Sequence, residues 1–434
     1  MTAPLLDPAV IHRRRYYVLA VLSIVSFFNY MDRSVLAVLI EPIKNDLKIS
    51  DTQVGLLAGF TFAVFYASFG IPIARLADRS SRVRILSIAI TLWSLMTAVS
   101  GLAHTYWHLL LARIGVGVGE AGCVPASHSL ISDYFPPKER AFAISVFQAG
   151  GVVGVTFGLA AAGIVAQTFG WRWVFAVLGA PGIVVGLLAW LTVAEPMRRG
   201  HKDLAQTAPP ATGKLWTDVR QLLGQSSYRH ILLAVSIGNF VANGLGQWTA
   251  SFFVRVHELT IAQVGVWLGA SSGVGGVVGI LLGGIISVRL VARDRRWEVW
   301  LPAMASGLSL PLYFITFVHP VAAFAIGAKF LAALVAALGT GVGLASIQSV
   351  VPANMRAMGV AIIMFASAFI GMGAGPLAVG ILSDYLAPHF GRFSLRYALV
   401  VTLAVSLWSI LHYWLASRRF REHAGDDELE TCPA

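Results

Sequence analysis

Long apolar runs separated by short polar stretches dominate this chain from Tyr16 to about residue 416. Each run has the roughly 20 residues that a helix needs to cross a hydrocarbon layer about 30 Å thick. Twelve can be drawn, at 16–40, 52–75, 84–103, 106–133, 139–165, 170–193, 228–252, 261–288, 299–318, 321–348, 355–385 and 394–416. The pattern predicts an all-α membrane protein of twelve transmembrane helices, because a helix satisfies its own backbone groups where no water can reach them.

One interruption is longer than the others. Between Glu195-Pro196 and Gln225 the chain turns polar, with Arg198, Arg199, His201, Lys202, Asp203 and Pro209-Pro210. It divides six spans from six and predicts four segments: an N-terminal six-helix bundle (1–193), a linker (194–225), a C-terminal six-helix bundle (226–417) and a tail (418–434). Within the linker, residues 214–223 carry apolar side chains at helical spacing. They fit either a short helix lying on the membrane face or a solvated connection.

The halves repeat each other. Adding 210 carries Val25, Ser26 and Asn29 onto Val235, Ser236 and Asn239, and Gln53, Val54, Gly55 and Gly59 onto Gln263, Val264, Gly265 and Gly269. The offset drifts to 216, where Arg140-Ala141 becomes Arg356-Ala357, each pair four residues after a proline, Pro136 or Pro352. Two pseudo-symmetric bundles of six helices are an architecture of secondary transporters, which bind their cargo between repeats.

Composition agrees, since 57% of the residues are hydrophobic and 12% charged, against about a quarter charged in soluble domains. The net charge of +11 could suggest a nucleic-acid partner. Placing both termini in the cytoplasm removes that need, because 23 of the 32 Lys and Arg then lie inside, 6 outside and 3 within helices. That asymmetry is the positive-inside rule, and it fixes the orientation with both termini cytoplasmic; the chain is read as a protein of the bacterial inner (plasma) membrane. The two cysteines, Cys123 and Cys432, offer no disulfide framework. The basic start resembles a signal peptide, but its apolar run continues into Asn29, Asp32 and Arg33, so it is read as the first span. Many of the 43 glycines, among them Gly115, Gly117, Gly119 and Gly122, then Gly150, Gly151, Gly154 and Gly158, are spaced for close helix contact.

The three basic residues left inside helices are Arg33, Arg113 and Lys329, and two acids join them, Asp32 and Glu120. Such residues cost at least about 2.5 kcal/mol each on insertion scales and are functional candidates by default. Counted from the predicted helix ends, Asp32 and Arg113 lie about 10 to 12 Å deep and can meet. Glu120 follows Arg113 by two turns and shares its face, about 10.5 Å along the axis. Lys329 is Arg113 plus 216, so the repeat places it at equivalent depth and sets two cations across a cavity. Asp32, Arg33 and Glu120 map to Ala242, Asn243 and Ala336, leaving the acids in the N-terminal half.

A carboxylate whose proton competes with a neighbouring cation can couple proton binding to substrate binding. Asp32 and Glu120 are the expected proton carriers and Arg113 their switch partner. Arg33, Arg113 and Lys329 are expected to receive an anionic headgroup through charge-assisted hydrogen bonds, with Tyr30 and Trp248 as cavity walls. The other reading is a permanent ion-pair network of Asp32, Arg113 and Glu120 that only holds helices together. Other aromatics that could line a tunnel are Phe27, Phe28, Phe60, Phe62, Phe65, Tyr66 and Phe365.

The loop after the second span, Ala74-Arg75-Leu76-Ala77-Asp78-Arg79-Ser80-Ser81-Arg82, resembles the G-x-L-a-D-r-x-G-r signature of the major facilitator superfamily, with Ala74 and Ser81 in place of its glycines. Leu109, Arg113, Gly117 and Gly119 are similar to a second signature. Within that superfamily, Asn29-Tyr30-Met31-Asp32-Arg33-Ser34-Val35-Leu36 and Arg113-Ile114-Gly115-Val116-Gly117-Val118-Gly119-Glu120-Ala121 resemble the Spinster family of lysolipid and sphingosine 1-phosphate transporters and its bacterial relatives. The resemblance implies the major facilitator fold and a cytoplasmic gate at Asp78, Arg79, Arg82 and Arg140. It also implies alternating-access transport of an amphipathic anionic lipid, proton-coupled and without cofactor, metal or catalytic residues. Nothing in that architecture asks for more than a monomer. Two alternatives stay open: another organic anion or a drug as cargo, and a membrane acyltransferase built on the His128-x-x-x-x-Asp133 spacing. Gly154-Val155-Thr156-Phe157-Gly158 lacks the glycine-proline of drug antiporters, which appears instead at Gly375-Pro376.

Overall fold

A computed structural model describes residues 8–196, 215–352 and 355–420. The described residues are helical with turns between, and no strand occurs among them. Ten spans are α1 (Arg14–Leu47), α2 (Asp51–Ala77), α3 (Arg82–Ser100), α4 (Tyr106–Tyr134), α5 (Pro137–Phe169), α6 (Trp171–Thr192), α7 (Ser226–His257), α8 (Ile261–Arg293), α9 (Trp297–Val318) and α10 (Ala322–Val350). The last apolar stretch, Met358–Arg418, turns at the short 3-10 helix Gly391–Phe393, where Gly391 takes φ +51°. It thereby forms α11, ending at Phe390, and α12, running as Ser394–Ala404 and Ser406–Arg418. The chain divides into two compact units, Met1–Pro210 with Leu259–Gly269, and Ala211–Glu258 with Ala270–Ala434. The linker helix is present as Leu215–Gly224, with Leu222 buried in the core of the second unit and Trp216 exposed.

Eleven spans begin and end within five residues of the positions read from hydropathy. The exception is α1, which was expected to end at residue 40 and continues to Leu47. The added turns are polar, yet they stay helical because their charges find partners. Lys44 pairs with Asp51 at 2.5 Å and Asp46 with Arg172 at 2.7 Å. Asp32 therefore lies fifteen residues before the helix end, and the depth counted from residue 40 is corrected accordingly.

The internal repeat recurs in local geometry. Among the described residues two non-glycines take positive φ, Lys48 at 54° and Glu258 at 56°, and they stand 210 apart. Each is followed by a capping box. Ser50 and Gln53 exchange side-chain-to-backbone bonds of 3.1 and 2.9 Å, and Thr260 and Gln263 do the same at 3.3 and 3.0 Å. The repeat counterparts α2 and α8 each contain a π turn, Leu56–Phe60 and Ser271–Gly275. The counterparts α4 and α10 are each broken, after Glu120 and after Ala337.

In the first unit α5 lies directly on α1. A Cβ added at Gly154 would run into the Phe27 carbonyl, and one at Gly158 would stand 2.7 Å from Met31 Cγ. Glycines of α6 admit α3 in the same way, with Gly179 facing the Ala98 nitrogen at 2.7 Å. At one end of this unit α3, α4 and the exit of α6 are tied around Arg82. Its guanidinium pairs with Asp133 and with Glu195 at 2.9 Å, and reaches the Pro196 carbonyl at 3.2 Å. Glu195 also accepts from Ser81 Oγ at 2.7 Å and from the Val83 amide at 2.9 Å, which caps the start of α3. Burial raises the Glu195 carboxyl, but the bonds from Val83, Ser81 and Arg82 outweigh it and leave it below the usual carboxylate range. The second unit is built around Tyr228, Val299, Ile363, Tyr413 and Phe420, all in one buried cluster.

Two outcomes are expected. Gly154→Val forces α5 off α1 at a cost of about 1–3 kcal/mol or more. Fluorescence-detected size exclusion should lose the folded peak, whereas Gly246→Ala, where a Cβ meets nothing within 4 Å, should keep it. Because the Glu195 carboxyl is depressed on folding, its contribution is complete above the ordinary value of about 4.3 and disappears as pH falls through the lower folded value. Melting temperature should drop in that acid range, and Glu195→Gln should melt lower at neutral pH with a smaller acid drop.

Candidate functional site

The intramembrane charges of the first unit come together in two crossed pairs. Arg33 Nε donates to Glu120 Oε2 at 2.5 Å, and Arg113 Nη1 donates to Asp32 Oδ2 at 3.4 Å. Thr97 on α3 closes the second pair by donating to Asp32 Oδ1 at 2.7 Å. Neighbours on α1 therefore serve residues two turns apart on α4, which the long arginine side chains make possible. Glu120 is 0% exposed, Arg113 2% and Asp32 6%, so each acid answers a cation in a place where neither is stable alone.

The sequence produces this locally. The seven-residue spacing aims Arg113 and Glu120 from one face of α4. Gly119 sits on the adjacent face against Trp93 of α3, where a Cβ would meet the Trp93 nitrogen at 2.8 Å. Gly117 faces the Phe62 carbonyl of α2 at 3.2 Å. The helix then breaks at Ala121-Gly122, directly after Glu120.

Aromatic rings bed the guanidiniums. Arg33 lies 4.8 Å from the Tyr66 centroid, 5.3 Å from Phe62 and 5.7 Å from Tyr30, and Arg113 is 5.7 Å from Phe62. Phe62 and Tyr66 stack at 5.6 Å. Three polar atoms within this buried group have no hydrogen-bond partner: Glu120 Oε1, Arg33 Nη2 and Arg113 Nε. The cluster therefore has an acceptor and donors that the protein itself does not satisfy.

Arg33, expected to receive an anionic headgroup, is the partner of Glu120 in this structure, a pairing the sequence did not announce. Neither Thr97 nor the role of Phe62 and Tyr66 under the arginines was foreseen, because a threonine and two aromatics in an apolar helix carry no periodic signal. Lys329 lies in α10 of the second unit, its Nζ 5.4 Å from the Tyr313 centroid. No acid pairs with it among the described residues. Trp248 departs from its expected place on a cavity wall. It is 0% exposed, and its Nε1 donates to the Pro376 carbonyl at 2.8 Å, so it packs α7 to α11. Tyr30 is half-buried beside Gly151.

Of the expected gate residues, Arg82 holds Asp133 and Glu195 as described, and Arg140 donates to the Phe135 carbonyl at 3.2 Å. The side chains of Asp78 and Arg79 lie outside the described residues. The His128–Asp133 spacing does not make a catalytic pair. Asp133 is taken by Arg82, His128 stacks edge-on with Phe147 at 5.5 Å, and no hydrogen bond joins the two. No cluster of three metal-ligating side chains occurs among the described residues.

The chain is similar to known proteins over most of its length. Residues 22–293 match the family described as Major Facilitator Superfamily. An MFS-type efflux pump of Mycolicibacterium smegmatis is 33% identical over 94% of this chain and 94% of its own length. A sphingosine-1-phosphate transporter of Danio rerio is 28% identical over 88% of this chain and 80% of its own. A crystal structure of a bacterial homolog of the human lysosomal transporter Spinster, inward-facing and unoccupied, superposes with a TM-score of 0.84 at 30% identity, covering 94% of this chain and 98% of that one. The chain belongs to the Major Facilitator Superfamily of membrane transporters, and within it resembles the Spinster family.

Proposed function

We propose that this transporter moves an amphipathic anionic lipid, such as a lysophospholipid or sphingosine 1-phosphate, by proton-coupled alternating access. The observation that carries the reading is the pair of crossed bridges with their unused atoms, Glu120 Oε1 and Arg33 Nη2.

The exchange runs on charge balance. Two acids and two arginines sum to zero in a buried place. When Glu120 takes up a proton, Arg33 loses its anionic partner, and a phosphate or carboxylate headgroup becomes the anion that restores balance. Loss of the proton returns Arg33 to Glu120 and releases the headgroup. Asp32 and Arg113 offer the same exchange, with Thr97 holding Asp32 in place. In this reading Lys329 is a further headgroup-binding cation, and Tyr30 and Tyr66 flank Arg33. Arg82, Arg140, Asp78 and Arg79 form the cytoplasmic gate, with Glu195 as an added tie. The positive-inside count puts both termini in the cytoplasm of a bacterial inner membrane, and the chain works as a monomer.

The likeness to an efflux pump supports a second reading, export of another organic anion or a drug. The two readings differ in cargo and share the site.

Transport of labelled lysophospholipid and sphingosine 1-phosphate into proteoliposomes, with and without an imposed pH gradient, tests the proposal. Lipid movement should rise with the gradient, and Asp32→Asn and Glu120→Gln should each lower the gradient-driven rate at least about tenfold, equivalent to about 1.4 kcal/mol. Movement indifferent to the gradient would point to a facilitator. No lipid movement by folded protein would move the assignment to other organic anions. Arg33→Lys keeps the charge but loses the planar fork, so half-maximal transport should need more lipid than in the parent protein.

A further inference from the structure

Two histidines join α7 to α12 in the second unit, in a contact the transport reading does not use. His230 and His412 set their Nδ1 atoms 2.9 Å apart, with ring centroids 5.1 Å apart and planes at 30°. On its other edge His412 Nε2 meets Trp408 Nε1 at 2.8 Å. One turn earlier on α12, Ser409 Oγ donates to the Ala234 carbonyl of α7 at 2.7 Å.

The tryptophan fixes where the protons lie. An indole N–H can only donate, so His412 Nε2 must offer a lone pair. A neutral His412 then carries its proton on Nδ1 and donates it to His230 Nδ1, and His230 carries its own proton on Nε2. The three rings form one directed chain, Trp408 to His412 to His230, with every facing atom satisfied.

The surroundings leave the pair largely to itself. Arg229, the neighbour of His230, is the charged group that acts on it besides His412, and its guanidinium is turned onto the Leu223 and Gly224 carbonyls at 3.0 and 3.5 Å. No charged group among the described residues acts on His412. Of the other titratable groups on the elements packed there, Tyr228 donates to the Gly359 carbonyl, Tyr413 is buried in the core, and Arg418 lies over Trp414. The same and neighbouring elements also carry Asp218 and Arg220 of the linker helix, Arg255 and His257 of α7, Glu298 and Tyr313 of α9, Arg356, Asp384, Tyr385 and His389 of α11, and Arg396 and Tyr397 of α12.

We propose that His230 and His412 are a one-proton clamp that joins α7 to α12 while both rings are neutral and parts them when acid adds a proton. A proton on His230 Nδ1 would set two N–H groups face to face across 2.9 Å. A proton on His412 Nε2 would set an N–H against the indole N–H. Either way a hydrogen bond becomes a repulsion, and the rings separate. A metal ion bridging the two Nδ1 atoms meets the same obstacle, since His412 would then carry its proton on Nε2, where Trp408 already points.

The test uses the purified full chain in lipid nanodiscs and needs no substrate, so its result is independent of the cargo. Melting temperature is followed from pH 8 to 5, above the range in which Glu195 acts, for the parent protein, His230→Asn, His412→Asn and Trp408→Phe. The parent should lose melting temperature across the imidazole range, and each histidine substitution should remove that step. Trp408→Phe keeps both imidazoles and frees His412 Nε2, so the step should move along the pH axis and persist. Among the 11 imidazoles in nitrogen-15 spectra of histidine-labelled parent protein, one Nδ1–H and one Nε2–H imidazole, linked to each other across their shared hydrogen bond, should titrate together. An acid step unchanged in both histidine variants, or two imidazoles titrating independently in the parent spectra, would overturn the clamp. So would Zn2+ raising the melting temperature of the parent alone, which would make the pair a metal site. The spectra of the parent decide the matter even where a variant fails to fold.

Discussion

A charge in hydrocarbon must bring its own counter-charge, and that constraint organises the first unit. Each of the four charges of the cluster, Asp32 and Arg33 on α1 and Arg113 and Glu120 on α4, has its partner on the other helix, so neither helix can be moved without stranding a charge. The close approach this needs is supplied by removing side chains. Gly117 and Gly119 let α4 settle onto α2 and α3, and Gly154 and Gly158 let α5 support α1 from behind. Aromatic faces then take the place of water around the guanidiniums, which is why Phe62 and Tyr66 matter although neither carries a charge.

Much of this was legible in the sequence, and the reasons differ by feature. The spans could be read because apolar runs of fixed length have one physical cause. The repeat could be read because identical residues recur at a nearly constant offset, and it reappears in geometry as paired positive φ angles at Lys48 and Glu258 and twin capping boxes. The contact of Asp32 with Arg113 was foreseen from position alone. The depth assigned to Asp32 was too shallow, because α1 outlasts its apolar run: Lys44 and Asp46 are neutralised by neighbours that no window of hydropathy can see. The pairing of Arg33 with Glu120 was missed for a related reason. Adjacent residues on one helix point in different directions, and only the reach of an arginine side chain brings both to α4.

Residues whose role is decided by a single atom were the least legible. Trp248 reads as a wall residue from its size and position, yet one bond to the Pro376 carbonyl makes it a packing residue. His230 and His412 stand 182 positions apart in apolar stretches with no spacing to announce them. Their meaning depends on which edge of an imidazole a tryptophan occupies.

The π turn at Leu56–Phe60 has a reach well beyond its own five residues of α2. A π turn spends one more residue than an α turn on the same advance, and each residue carries about 100° of rotation. The first turn of α2 is anchored by its capping box, so this surplus residue sets the heading of everything downstream, including Phe62 and Tyr66. Without it the aromatic face would swing by about 100°, and the two arginines would lose the rings they rest on. One unpaired step in a backbone ladder thus acts as a dial that points the floor of the charge cluster toward its cations.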